Sequence, residues 1–151
     1  MKRTFSLLFA VVCTLVLTTS CLREETPETL SGTYRGSMEV EVNVPGFHSD
    51  DLTITGQQAV VTKADASHVD IELELDLAKH LNINLPDYNL NYGTLTAHCL
   101  VGPTFDGETP ISGTAVVAGQ SVPVWGEYDE RVLDLTIALG VVTVEFEGVR
   151  L

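Results

Sequence analysis

Between residues 31 and 151 the chain predicts an all-β fold of about eight short antiparallel strands closing into an up-and-down barrel. Three observations carry that expectation. Apolar and polar residues alternate with a period of two in stretch after stretch, which is the mark of a strand with one dry and one wet face. Turn formers such as Pro45-Gly46, Ser49-Asp50-Asp51, Gly102-Pro103, Asp106-Gly107 and Asp129-Glu130 punctuate those stretches. Finally, no stretch of about 12 residues carries a helical stripe, so a parallel sheet with crossover helices is not indicated.

Taken in order, "SMEVEVNV" puts Met38, Val40, Val42 and Val44 on one side and Glu39, Glu41 and Asn43 on the other. "LTITGQQAVVTKA" reads as one strand or two short ones, with Gly56 as a bulge. "VDIELELDL" alternates most cleanly, with Val69, Ile71, Leu73, Leu75 and Leu77 facing one way and Asp70, Glu72, Glu74 and Asp76 the other. "HLNINL" alternates again, inside a segment from Ala78 to Tyr92 that also suits an irregular crossing or a helical turn. "GTLTAHCLV", "ISGTAVVAG", "SVPVWGEY", "VLDLTIAL" and "VVTVEFEGV" complete the set. An open sheet of these strands would leave two edges of unpaired backbone, which closure removes. About eight strands enclose an interior that side chains fill or that holds one small ligand. The acids then form an exterior coat.

Ahead of the strands, Lys2 and Arg3 precede the almost wholly apolar run Phe5–Leu17. That run is shorter than the about 20 residues of a membrane-spanning helix and suits the hydrophobic region of an export signal. Thr18-Thr19-Ser20 supplies small side chains for cleavage, and Cys21 follows. The segment resembles a bacterial lipoprotein signal, which implies lipidation of Cys21; an ordinary signal peptidase cutting after Ser20 is the alternative. The chain therefore divides into a signal peptide over 1–20, a lipidated cysteine with a polar tether over 21–30 ("CLREETPETL"), and a barrel over 31–151. The acid-rich "REE" beside the lipid resembles a surface-export signal of Bacteroides-type lipoproteins. The expected location is the cell envelope, on an outer-membrane lipid anchor that leaves the domain periplasmic or surface-exposed.

With Lys2 and Arg3 gone, six basic residues stand against 21 acidic ones, a formal charge of −15. Such a field opposes nucleic acid, which needs Lys and Arg to neutralise its phosphates. Of the three cysteines, Cys13 leaves with the signal and Cys21 takes the lipid, so Cys99 has no disulfide partner within the chain. It shares the apolar face of Leu95 and Ala97, as a buried small hydrophobe does.

"SGTYRGSMEVEV" and "ISGTAVVAGQSVPVWGEYDERVLDLTIALGVVTVEFEG" are similar to the calycin-like (lipocalin-like) β-barrel lipoproteins of Bacteroides-type bacteria. The elements carrying the likeness are Gly32, Tyr34 and Gly36, then Ser112-Gly113-Thr114, Leu133–Leu139 and Gly148. Residues 77–92 match no part of the pattern. The likeness implies the barrel and an envelope location, and no particular reaction. Calycins also pack an aromatic of the first strand against a basic side chain near the last, which implies a barrel-end pair between Tyr34 and Arg150.

Constellations for chemistry are sparse. His48, His68, His80 and His98 show none of the close spacings of zinc sites, so no metal is expected. His48-Ser49-Asp50-Asp51 reads as turn chemistry, with too few carboxylates for a calcium cage. No GxSxG elbow or glycine-rich phosphate loop occurs, and the alternation puts nearly all carboxylates outside, where none is tuned as a general acid. No enzyme activity and no cofactor are expected. Besides an envelope hydrolase, two readings remain. One is a binding module taking a small hydrophobic or amphiphilic ligand in the barrel mouth, lined by Tyr88, Tyr92, Phe105, Trp125 and Tyr128. The other is a structural or interaction lipoprotein with a filled barrel and a protein partner.

Overall fold

A computed structural model describes residues 24–80, 88 and 90–151. The expected signal segment, Cys21 and most of "HLNINL" lie outside the described residues. Eight antiparallel strands form a closed barrel in chain order. They are β1 (Gly32–Val44), β2 (Phe47–Lys63), β3 (His68–Asp76), β4 (Asn91–Val101), β5 (Thr109–Val117), β6 (Gln120–Asp129), β7 (Val132–Ala138) and β8 (Val142–Arg150). Among the described residues two single-turn helices accompany them, α1 (Pro27–Leu30) before β1 and α2 (Leu77–His80) after β3. β1 pairs with both β2 and β8, so every strand has two neighbours and the barrel has no edge.

The period-two pattern is what sorts side chains between the two faces. In β3, Val69, Ile71, Leu73 and Leu75 are buried, while Glu72 and Glu74 are exposed. Buried residues from all eight strands make one apolar core, including Met38, Val40, Leu95, Ile111, Leu135 and Phe146. Each such side chain contributes about 1.5–3 kcal/mol of transfer free energy. Cys99 is within this core, and burial pushes its thiol up to about 11, so it stays an inert thiol at neutral pH.

A barrel hollow enough for a ligand would leave its wall accessible to a water-sized sphere. Val40, Leu75, Ala97, Leu133, Ile137 and Val144 are all 0% exposed. Among the described residues the interior is therefore packed by side chains, as in other small eight-stranded barrels.

The Gly56 bulge is present: Ser37 pairs with Thr55 and Gly36 with Gln57, and Gly56, with φ of +75°, is the residue left over. Two expectations are corrected. Ser49-Asp50-Asp51 is not a turn, because the hairpin already closes at Pro45-Gly46 and β2 runs unbroken from Phe47, with a register shift between Val40 and Val42 taking up its one extra residue. The stretch 21–30 expected as a polar tether also holds structure at its end. Thr26 caps α1 in a reciprocal box with Thr29, and Pro27 and Leu30 are buried against the barrel end.

Candidate functional site

In an up-and-down barrel the connections alternate between ends. The α1 end collects α1, the β2–β3 turn, the β4–β5 loop, the β6–β7 turn and the C-terminus; the other end holds the β1–β2, β5–β6 and β7–β8 turns and the β3–β4 crossing.

At the α1 end, Tyr34 and Arg150 are cross-strand partners. They meet through the backbone of the α1 segment. The Tyr34 hydroxyl donates to the Leu30 carbonyl at 2.6 Å. Arg150 donates from Nη1 to the Thr29 carbonyl at 2.5 Å and from Nη2 to the Ser31 carbonyl at 2.6 Å. Carbonyls that a four-residue helix leaves without partners are thereby satisfied by charge-assisted bonds. Tyr128 stands edge-on to Tyr34, with ring centroids 6.2 Å apart at 90°. Burial, with a further contribution from Tyr128, raises the Tyr34 phenol well above its ordinary value, so it remains a donor.

Beside this plug lies a cleft of about 960 Å³ lined by Glu25, Thr29, Thr104, Asp106, Gly107, Tyr128, Asp129, Glu130, Arg131 and Arg150. A polar chain fixes its wall: the Glu25 amide donates to Thr104 Oγ1 at 2.9 Å, and the Thr104 hydroxyl bonds that of buried Thr109 at 2.8 Å. Two tight turns shape it. Phe105-Asp106-Gly107-Glu108 closes on itself through paired backbone bonds of 2.8 and 3.0 Å. The β6–β7 turn holds Glu130 at φ +40° and Arg131 at +84°. Left-handed backbone at a non-glycine residue costs on the order of 1–3 kcal/mol, and three of the four such residues described line this cleft. Arg131 is aimed by its bond from Nη2 to the Arg150 carbonyl at 2.9 Å.

The five aromatic residues expected to line one mouth are not brought together. Tyr88 and Tyr92 lie by the β3–β4 crossing, and Tyr92 packs partly buried against the core. Phe105 and Tyr128 belong to the α1 end; Phe105 is 81% exposed at a loop tip, while Tyr128 is a core residue that also reaches the cleft. Trp125 is 44% exposed on the outer wall of β6, facing away from the interior. Sequence reasoning missed Thr104 and Arg131, whose only signals were adjacency to predicted turns. It also missed that His68 and His98 approach each other on the outer wall.

The acidic coat carries its own cost. Asp134 stands directly opposite both Glu127 and Glu147, and Glu39 opposite Glu145. Partial burial, then Glu147 and Glu127, raises the Asp134 carboxyl above its usual range. A carboxyl raised on folding binds its proton more tightly in the native state. Native stability therefore gains as pH falls from neutral through the raised value toward the ordinary one near 3.8. Below that, the trend reverses as Asp65, held down to about 2 by hydrogen bonds from Ser67 and His68, is protonated. Asp134→Asn is expected to raise stability at pH 7 by about 0.5–1 kcal/mol, the scale of removing facing like charges, and to shallow the gain on acidification. Thermal melts of both proteins from pH 7 to pH 4 check this.

Compared with known proteins, the chain matches no family model, no curated protein and no solved structure at a significant level.

Proposed function

We propose that this protein is a non-enzymatic binding module of the cell envelope, held by a lipid on Cys21, that takes the polar head of an amphiphilic ligand in the cleft at the α1 end of a filled barrel. The cleft carries this reading. Among the described residues the interior is packed, which favours a site outside it, and the cleft combines a guanidinium on a strained turn, two threonine hydroxyls and several carboxylates in one concavity. Such a lining suits a zwitterionic or hydroxyl-rich head, and exposed Phe105 and Leu151 flank it in sequence to meet an apolar tail.

The anchor supports the same end. Glu25 is tied to Thr104, and Cys21 is four residues upstream, so the lipid lies within about 14 Å of the cleft wall. The barrel then stands end-on, cleft toward the bilayer. Four of the five described basic side chains, Arg35, Lys63, Arg131 and Arg150, fall on the α1 half, with Lys79 alone at the opposite end. Acids outnumber them at the same end (Glu25, Glu28, Asp65, Asp106, Glu108, Asp129 and Glu130), and Lys63 is paired with Glu28, so the lipid and not charge would hold this end to the bilayer.

Backbone NMR of the mature protein, titrated with zwitterionic, anionic and sugar-headed short-chain amphiphiles, tests the reading. Saturable shifts confined to Thr104, Asp106, Tyr128 and Arg131, weakened about tenfold in Arg131→Ala, are the expected outcome. Shifts centred on Val40, Leu73 and Leu135 would place the ligand inside the barrel and overturn it. The interaction reading has one observation in its favour: Leu100, Ser112 and Trp125 follow one another in register across the outer wall, with Leu100 and Trp125 both exposed. Shifts in that row on adding envelope protein extract, with none from any amphiphile, favour that reading.

A further inference from the structure

On the outer wall, away from the cleft, the barrel register brings together two histidines 30 residues apart in sequence. His98 on β4 pairs directly with Asp70 on β3, and His68 is the next outward residue of β3 before Asp70. The two imidazoles are stacked, with centroids 4.7 Å apart and planes 11° from parallel.

Each ring is held by its own carboxylate. Asp70 Oδ1 lies 2.7 Å from His98 Nδ1. Asp65, in the β2–β3 turn, sits 2.9 and 3.0 Å from His68 Nδ1 through its two oxygens. It also accepts from the Ser67 and His68 amides at 2.8 and 2.9 Å. A carboxylate only accepts, so both neutral rings carry their proton on Nδ1; His98 is left with Nε2 as a lone-pair donor, whereas His68 would face an ion through Nδ1, on the side where Asp65 lies, its proton moving to Nε2. For His98, a carboxylate behind Nδ1 and a free Nε2 in front is how proteins orient histidine toward a metal ion. One ligand atom each from Asp65, His68 and His98 lies within 4.8 Å of the other two. Ligand bonds of about 2.0–2.2 Å would need these atoms to close by roughly 1 Å, which side chains at the surface can supply.

We propose that Asp65, His68 and His98 form a site for one divalent transition-metal ion of the Zn²⁺ class, with Asp70 orienting His98. Imidazole ligands select Zn²⁺, Cu²⁺ or Ni²⁺ over Ca²⁺ and Mg²⁺. Three protein ligands leave a coordination position for water or for a donor from a partner. The ion would clip the β2–β3 turn to β4 through side chains, beside the backbone bond from the Val101 amide to the Ser67 carbonyl.

The test is a calorimetric titration of the untagged, chelator-stripped mature protein with Zn²⁺. It is paired with NMR of the histidine ring nitrogens and with the visible spectrum of the Co²⁺ form. One equivalent should bind, the Nδ1 signal of His68 and the Nε2 signal of His98 should shift, and tenfold excess Ca²⁺ should not displace the ion. His68→Ala and His98→Ala should each weaken binding at least tenfold, Asp70→Asn less, and His80→Ala not at all. Binding that survives both histidine variants, yields to Ca²⁺, or fails to saturate at one equivalent is diffuse attraction to the acidic coat, and overturns the proposal. Because the wall site is separate from the cleft, either result leaves the amphiphile reading untouched.

Discussion

Gly36→Ala is expected to destabilise the barrel by about 3 kcal/mol, enough to leave a large unfolded fraction in a domain of ordinary stability. Gly36 pairs with Gly148 across the β1–β8 seam, the junction that turns a sheet into a barrel. A β-carbon there would lie 1.7 Å from the Glu147 carbonyl oxygen and 2.7 Å from the Gly148 α-carbon. Those are backbone atoms, so relief requires the two strands to part, and parting them undoes the closure. Gly56 is the contrasting position: a β-carbon there meets nothing within 4 Å, and only its φ of +75° resists substitution. Gly56→Ala should cost about 1–2 kcal/mol. Urea unfolding of both variants checks the order; equal losses would mean that strand approach at the seam is not what limits closure.

Tyr34→Ala should cost about 3–5 kcal/mol, while Tyr34→Phe should cost only about 1–2 kcal/mol. The ring is fully buried and edge-on to Tyr128, so its removal leaves a cavity at the α1 end. The hydroxyl is a separate contribution, because without it the Leu30 carbonyl loses its 2.6 Å donor inside the core. Hydrogen exchange distinguishes the two. In Tyr34→Phe, the Leu30 and Ser31 amides, which bond to Thr26 and Pro27 carbonyls, should exchange faster as α1 loosens, while amides of β3 and β4 keep their protection.

Much of this barrel is legible in the sequence because a half-buried strand has only one way to place its greasy side. In β3 every second residue from Val69 to Leu75 is apolar, and every one is buried. The turn-forming Pro45-Gly46, Asp106-Gly107 and Asp129-Glu130 also fall at or beside turns. What failed was whatever depends on contacts far apart in the chain. α1 is four residues long, its cap uses Thr29 where Glu or Gln is the usual signal, and Tyr34 and Arg150 hold its carbonyls from the first and last strands. No local pattern announces such a turn. Ser49 to Asp51 carry turn chemistry, yet the register shift in β2 absorbs them.

The site divided in the same way. Grouping aromatics by their nearness to strand ends ignored which end each strand has reached, and in an up-and-down barrel that parity separates Tyr92 from Tyr128. Counting strands would have shown it. His68 and His98 are invisible to spacing rules because their closeness comes from the β3–β4 register. That register puts Asp70 behind His98, and the β2–β3 turn brings Asp65 to the Nδ1 side of His68.

The end-on stance of the tethered barrel is the claim on which the functional reading turns, and depth-dependent fluorescence quenching tests it most directly. In a Trp125→Phe background, which removes the chain's single tryptophan, one reporter replaces Phe105 at the α1 end and another replaces exposed Val116 near the opposite end. The lipidated proteins are then placed in vesicles of lipid with brominated acyl chains. Strong quenching of the reporter at 105 and none at 116, both lost in Cys21→Ala, is the expected result. Equal quenching at the two positions, or stronger quenching at 116, would contradict the account.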